Sequence, residues 1–238
     1  MRIAHLLTAL SIGAAAASGQ QTPLRGNLSE GAPQFGFGLG AAVPLGQFSR
    51  FVGVGGQLEG SLLFNPFKRR DLVAVRVDVT YVIYGSETRT VPLLPSTQRI
   101  LVDVTTSNNI VSVGLGPQFT FPGRAVRPYI GGDLGFSYFF TESAASGSSD
   151  LGTPFASTTN FDDFTFALGG LAGMYISLSS RKAISLDISV RYQHNATVRY
   201  LHEGSIQEQP DGSIRFTPTE TPVDLLLLRI GIGLGSRR

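Results

Sequence analysis

Seven charged residues in this chain have types and spacing that could let them act together: Glu59, Asp78, Asp133 and Asp187 against Arg76, Arg191 and Arg229. Each lies in a segment where apolar residues alternate with small or polar ones, and each falls on the polar side of that alternation. A side-chain period of two is that of a β-strand with unlike faces. If the polar faces turn inward on a narrow closed sheet, four carboxylates meet three guanidiniums and nearly cancel. A charge shielded from bulk water is costly unless paired and hydrogen bonded, so the expectation is an internal ion-pair network that fills the lumen. The alternative chemistry is a constriction that conducts small ions when the pairs rearrange. A barrel of eight strands has an interior just filled by side chains, which argues against a standing pore.

Catalysis has less to work with. Beyond the N-terminal leader the only histidines are His194 and His202. Barrel-type lipid A deacylases pair His with Ser two residues on, whereas His194 is followed by Asn195-Ala196 and His202 by Glu203-Gly204. Asp162-Asp163 has no Asp-x-His beside it of the kind outer-membrane proteases use. Two His with Glu203 suggest a metal site only weakly, since spacing fixes no third ligand. Gly53-Val54-Gly55-Gly56 and Gly231-Ile232-Gly233-Leu234-Gly235 open no helical pattern and precede no Lys-Ser/Thr, so they do not read as phosphate cradles. No catalytic residue, cofactor or metal is expected.

The segments that must position the charged set are strands. From Val73 to Tyr84, Val73, Val75, Val77, Val79, Tyr81 and Ile83 share one face, and Arg76, Asp78, Thr80 and Tyr84 share the other. Comparable alternation predicts strands at Gln34–Leu45, Val54–Phe64, Leu72–Tyr84, Ile110–Phe121, Arg127–Phe140, Phe164–Ser177, Ala183–Gln193 and Val223–Gly235. Each is about the length that crosses a bilayer as a tilted strand. The apolar set includes Phe37, Leu39, Leu58, Leu115, Leu134, Phe166, Ile188 and Ile230; the opposite set includes Gly36, Gly38, Gln57, Gln118 and Gln193. Pro117 and Pro128 suggest local bulges or strand ends. Tyr84, Tyr138, Phe139, Phe140, Tyr175, Tyr192 and Tyr200 fall near strand ends, as interfacial aromatic girdles would.

Composition agrees with this reading. Charged residues make up 15% of the chain, and there is neither Cys nor Trp, which rules out a disulfide framework or a thiolate metal site. A formal charge of +2, without a basic cluster interleaved with aromatics, gives no reason to expect nucleic acid. Arg2, the apolar stretch Leu6 to Ala17 and the small residues Ala17-Ser18-Gly19 predict a cleaved secretion signal over residues 1–19, then a polar lead-in over 20–33. No later apolar run is long enough for a membrane helix.

The connections carry topology. Three are short and basic: Asn65 to Arg70, Pro122 to Val126, and Ser179 to Lys182. Three are long: Gly85 to Asn109, Thr141 to Asp163, and His194 to Pro222. Short turns on one side and long loops on the other are what outer-membrane barrels show. Only Gly46 to Gly53 is short on the long side. Ser143 to Thr159, rich in Ser, Gly, Ala and Thr, is expected to be a mobile loop. Gln209-Pro210-Asp211-Gly212 marks a turn between Val198–Ile206 and Ser213–Phe216, so the last two strands are expected to continue as a ribbon. Gln98 to Val104 reads as an extension of strand four.

These residues carry a resemblance. The opening Gly36-Phe37-Gly38-Leu39-Gly40-Ala41-Ala42-Val43-Pro44-Leu45-Gly46, with the Gly-rich strand after it, is similar to the first hairpin of the small eight-stranded outer-membrane barrels, the group typified by the transmembrane domain of outer membrane protein A. Arg127-Pro128-Tyr129-Ile130-Gly131-Gly132-Asp133-Leu134-Gly135 resembles that group's fifth strand. Such barrels finish on an aromatic residue, where this chain has Leu234-Gly235-Ser236-Arg237-Arg238. The expectation is an all-β, eight-stranded, antiparallel up-and-down transmembrane barrel over residues 34–238 in a bacterial outer membrane. Surrounded by outer-membrane lipids, it would be a monomer with a structural or surface-contact role, meeting surface or envelope protein partners through its external loops. A narrow channel, a lipid-modifying enzyme and a soluble ligand-holding barrel are the competing readings.

Overall fold

The strand pattern resolves into a closed cylinder. The computed structural model describes residues 33–65, 72–92, 101–147, 154–178, 184–208 and 214–234. The proposed signal segment, the lead-in up to residue 32 and most of two basic turns lie outside the described residues. The strands are β1 (Gln34–Leu45), β2 (Gly55–Phe64), β3 (Val73–Pro92), β4 (Leu101–Thr120), β5 (Val126–Gly147), β6 (Ala156–Ser177), β7 (Ile184–Tyr200), β8 (Ile206–Glu208), β9 (Ile214–Phe216) and β10 (Thr219–Leu234). Eight of them close in the order β1-β10-β7-β6-β5-β4-β3-β2, and β8 pairs with β9 in a separate small hairpin. β1 bonds antiparallel to β10 (Phe37↔Ile232) and to β2 (Phe37↔Gly60). That closure satisfies backbone groups that lipid could not.

The two faces separate by burial. Outside, Phe37 is 62% exposed, Phe166 68% and Leu134 72%; inside, Arg76 is 1% exposed and Gln118 0%. Apolar side chains outward and a guanidinium inward is the inverse of a water-soluble barrel. It is the pattern of a strand with lipid on one side and a packed lumen on the other.

Several strands run well past the apolar belt. β3 and β4 stay paired from Gly85↔Asn108 to Pro92↔Leu101, and β5 and β6 from Glu142↔Thr159 to Ala145↔Ala156. Residues 143–147 and 156–159 are therefore strand and not loop: their backbones pair across strands, and Ser143 adds a side-chain bond to Thr106 at 2.7 Å. β4 begins at Leu101, inside the expected extension, and β7 and β10 continue to Tyr200↔Thr219. The Gln209-Pro210-Asp211-Gly212 turn lies outside the described residues, although the strands flanking it, β8 and β9, do pair.

Among the described residues, three bulges mark the level where these extensions leave the belt. One extra residue interrupts the ladder at Tyr84 on β3, at Asn160 on β6, and across Ala196-Thr197 opposite Pro222. A bulge exchanges inner and outer parity beyond it. On β7 the inward series Arg191, Gln193, Asn195 accordingly resumes as Val198 and Tyr200. Pro117 is not a bulge: β3 passes it in register at Val75↔Pro117, and β5 resumes in register at Gln118↔Gly131. Pro128 lies near the start of β5.

Candidate functional site

The lumen is built in layers. At the centre, Glu59 on β2 is shared by three arginines: Arg76 Nη2 donates to its Oε1 at 2.5 Å, Arg229 Nη1 at 2.8 Å, and Arg191 Nη2 lies at 3.7 Å. Arg76 also donates to Asp78 Oδ1 at 3.2 Å and to Gln118 Oε1 at 3.0 Å. Arg191 Nη1 reaches Asp78 Oδ2 at 2.5 Å. Arg229 pairs with Asp187, whose other oxygen accepts from Tyr129 at 2.7 Å. Beside this set, Tyr129 stacks on Tyr175 with centroids 4.6 Å apart.

All seven charged residues singled out from the sequence thus lie in one buried cluster spread over β2, β3, β5, β7 and β10. Asp133 is the least engaged. Its nearest cation is Arg191 Nε at 3.9 Å, and its Oδ2 has no hydrogen-bond partner among the described residues. Glycine makes the room: a Cβ on Gly114 or Gly169 would press on the Asp133 carboxylate, which lies between those two strands.

Above the charges comes a layer of hydroxyls and amides. Ser137 donates to Asn195 at 2.6 Å, Gln193 donates to Ser112 at 3.0 Å, and Asn195 caps Val223 O at 3.0 Å. Then the lumen turns apolar. Phe48, Tyr84, Phe139, Tyr200, Leu225 and Leu227 pack together, all buried. Phe48, fully buried, comes from the short connection after β1, where Gly46 at φ +60 turns the chain over the mouth and a single 3-10 turn drops the ring inside. That connection is short, and it plugs the mouth with the side chains of Phe48 and Val52 while its other residues stay exposed.

Here the aromatic expectation is corrected. Tyr138, Phe140 and Tyr192 face outward at the belt edge, where Tyr138 stacks on Phe140 at 5.4 Å. Tyr84, Phe139 and Tyr175 point inward because their parity is that of the polar face, and Tyr200 points inward because the bulge across Ala196-Thr197 exchanges the parity of β7. The same parity held the missed signal: Phe139 follows Asp133 and Ser137 at even spacing, and Leu225 and Leu227 precede Arg229 likewise.

The histidines lie in different places. His194 faces outward, its Nδ1 at 2.7 Å from Asp224 Oδ1, which also accepts from Tyr192. Its cross-strand neighbours are Leu168 and Asp224, neither of them carrying a hydroxyl or thiol that the imidazole could activate. His202 sits above the plug, stacked on Phe51 at 4.9 Å, with both ring nitrogens engaged by Glu203 O and Thr219 Oγ1. Among the described residues no three His, Cys, Asp or Glu side chains gather as metal ligands would.

Just above the belt, Asp163 bridges β6 to β7 by accepting from the Arg199 backbone N–H at 2.9 Å and Nε at 3.3 Å. Partial burial acts to raise its pKa, but the N–H groups of Arg199 and Phe164 and the guanidinium outweigh it and hold the carboxyl below the usual range. Over the plug the extensions enclose a mouth cavity of ≈ 610 Å³.

No family model and no curated protein matches the chain. Among solved structures it is similar to neisserial surface protein A, at 17% identity and a TM-score of 0.51 over 85% of this chain and 96% of that one. It is also similar to Ail, the attachment invasion locus protein of Yersinia pestis, at 13% identity and TM-score 0.43 over 86% and 99% of the two chains. A major outer membrane protein from Thermus thermophilus gives 17% identity and TM-score 0.43 over 85% and 99%. At such identities the likeness speaks to fold. The architecture shared with neisserial surface protein A, the apolar belt, the closed ladder and the inward charges give this chain the fold of a small eight-stranded outer-membrane barrel.

Proposed function

We propose that the chain is a non-enzymatic, monomeric anchor that holds its paired strand extensions outside the membrane as a contact surface for envelope or surface partners. The observation that carries this reading is the asymmetry of the barrel. At one end paired strands run far past the belt; at the other, β4 and β5 are joined by a few residues from Phe121 to Ala125. The filled lumen supports an anchor over a conduit: an ion-pair layer, an amide and hydroxyl layer and an apolar plug succeed one another along it.

The sequence has no Cys, so the test is direct. A single Ser157→Cys substitution in β6, on intact cells, should react with a membrane-impermeant maleimide. Cells whose β3–β4 extension is trimmed to a two-residue turn below Glu87 should lose adhesion that cells with the full barrel show. An unreactive Ser157→Cys variant, or adhesion indifferent to trimming, rejects the reading.

A narrow channel is the second reading, and one observation favours it. Asp133 Oδ2 and Arg191 Nη2 are buried without hydrogen-bond partners among the described residues, leaving slack in the network. Planar-bilayer recordings separate the two: discrete conductance that changes with Glu59→Gln or Arg191→Gln supports a channel, and silence supports the anchor.

A further inference from the structure

The mouth cavity above the plug has two unlike walls. On one side β4, β5 and β6 present Thr106, Asn108, Ser143, Thr158 and Asn160. They are held as a bank: Thr106 meets Ser143 Oγ at 2.7 Å, Asn160 Nδ2 donates to the same oxygen at 2.7 Å, and Asn108 Oδ1 accepts from Thr141 at 2.6 Å. The bulge at Asn160 sets this wall. Below it β6 turns odd-numbered residues such as Thr165 inward; above it the even-numbered Thr158 and Asn160 line the cavity. On the other side stand Phe51, Val52, Ile206 and Phe216. Phe51 is braced by its stack on His202 and remains 43% exposed. The floor is Tyr84, whose hydroxyl donates to Leu201 O at 3.2 Å.

Charge narrows the occupant. Among the described residues the lining holds two carboxylates, Glu87 and Glu203, and one guanidinium, Arg89, which is paired with Glu87 at 2.7 Å. An anion would find no cation cluster there to bind it bidentately. A wholly apolar chain would strip water from five amide and hydroxyl side chains and return nothing. A ligand that suits both walls has hydroxyls around its edge and a C–H face. Its hydroxyls pair with the bank, and its C–H face lies against the electron-rich face of an aromatic ring. The cavity volume is within the roughly 300–1,000 Å³ range of small-molecule sites.

We propose that this mouth cavity is a binding site for a short neutral oligosaccharide, seated between the Phe51 ring and the wall formed by Thr158 and Asn160. The proposal rests on the reading that this end of the barrel faces outward, and it adds the ligand class.

The test uses the full barrel in amine-oxide micelles, free of glycoside detergent, titrated calorimetrically with maltotriose, cellotriose and chitotriose. A heparin-derived disaccharide and spermidine serve as charged comparators. At least one trisaccharide should bind at one-to-one stoichiometry. Phe51→Ala should weaken it by about tenfold, the scale of one lost ring contact. Thr158→Val, nearly isosteric, should weaken it several-fold while leaving heat-modifiability intact, so a folding defect in the first variant does not decide the matter. Phe136→Leu, on the lipid face, should change nothing. The proposal is overturned if none of the three trisaccharides binds, if both wall variants bind as the parent does, or if only a charged comparator binds. Labelling of the Ser157→Cys variant on cells is read independently. A labelled barrel that binds no sugar ends the saccharide proposal alone, and an unlabelled one ends both.

Discussion

Phe48, on the first external turn, and Tyr200, at the far end of β7, meet edge to face with ring centroids 5.0 Å apart and planes at 84°. This contact links the first connection to the last long one and closes the barrel over its polar layers. Tyr84 joins the same cluster, 5.4 Å from Phe48. Phe48→Ala should therefore cost about 3–5 kcal/mol, the usual range for a fully buried ring, read as urea unfolding in micelles. Bilayer conductance should stay absent, because the charge and amide layers beneath are untouched. Unchanged unfolding would mean the ring is not the seal.

Arg229 holds Glu59, Asp187 and Ser189 with one guanidinium. Arg229→Ala leaves buried Asp187 without its arginine and Glu59 with one fewer, and should cost about 3–5 kcal/mol. Arg229→Lys should recover only part of that, since an ammonium cannot reproduce the planar fork. Equal midpoints for Lys and Arg would show that charge alone matters here.

Glycine is required at some positions and incidental at others. A Cβ on Gly135 would run into the Val113 carbonyl across the β4–β5 ladder, whereas one on Gly60 would meet nothing within 4 Å. Gly135→Ala should fail to give the heat-modifiable folded form, and Gly60→Ala should fold like the parent. If both fold equally well, the ladder has more slack than its register implies.

Asp163 ties β6 to β7 above the belt, where the two strands no longer share a ladder. Its folded pKa lies below the unfolded one, so its contribution is complete above the unfolded value of about 4 and fades as pH falls through the folded value. Hydrogen exchange at the Arg199 N–H, corrected for intrinsic rates, should accelerate below about pH 4. Asp163→Asn should abolish that pH dependence. A parent protein with flat protection across this window would show that the bridge contributes nothing.

Within the belt, the sequence alone decided which way each side chain points. Val77 outward and Asp78 inward follow from a period of two, which is local and survives any choice of partner strand. The seven inward charges were legible for the same reason. What only the tertiary structure decided lies beyond the belt or between strands. The bulges at Tyr84, Asn160 and Ala196-Thr197 exchange parity where no single strand signals it, because a bulge is defined by the partner ladder. The Ser- and Thr-rich extensions read as loop because their strand state depends on cross-strand pairs such as Thr88 with Thr105 at 2.9 Å. The role of Phe48 and the sharing of Glu59 among three arginines depend on which segments closure brings face to face, and a linear pattern does not contain that.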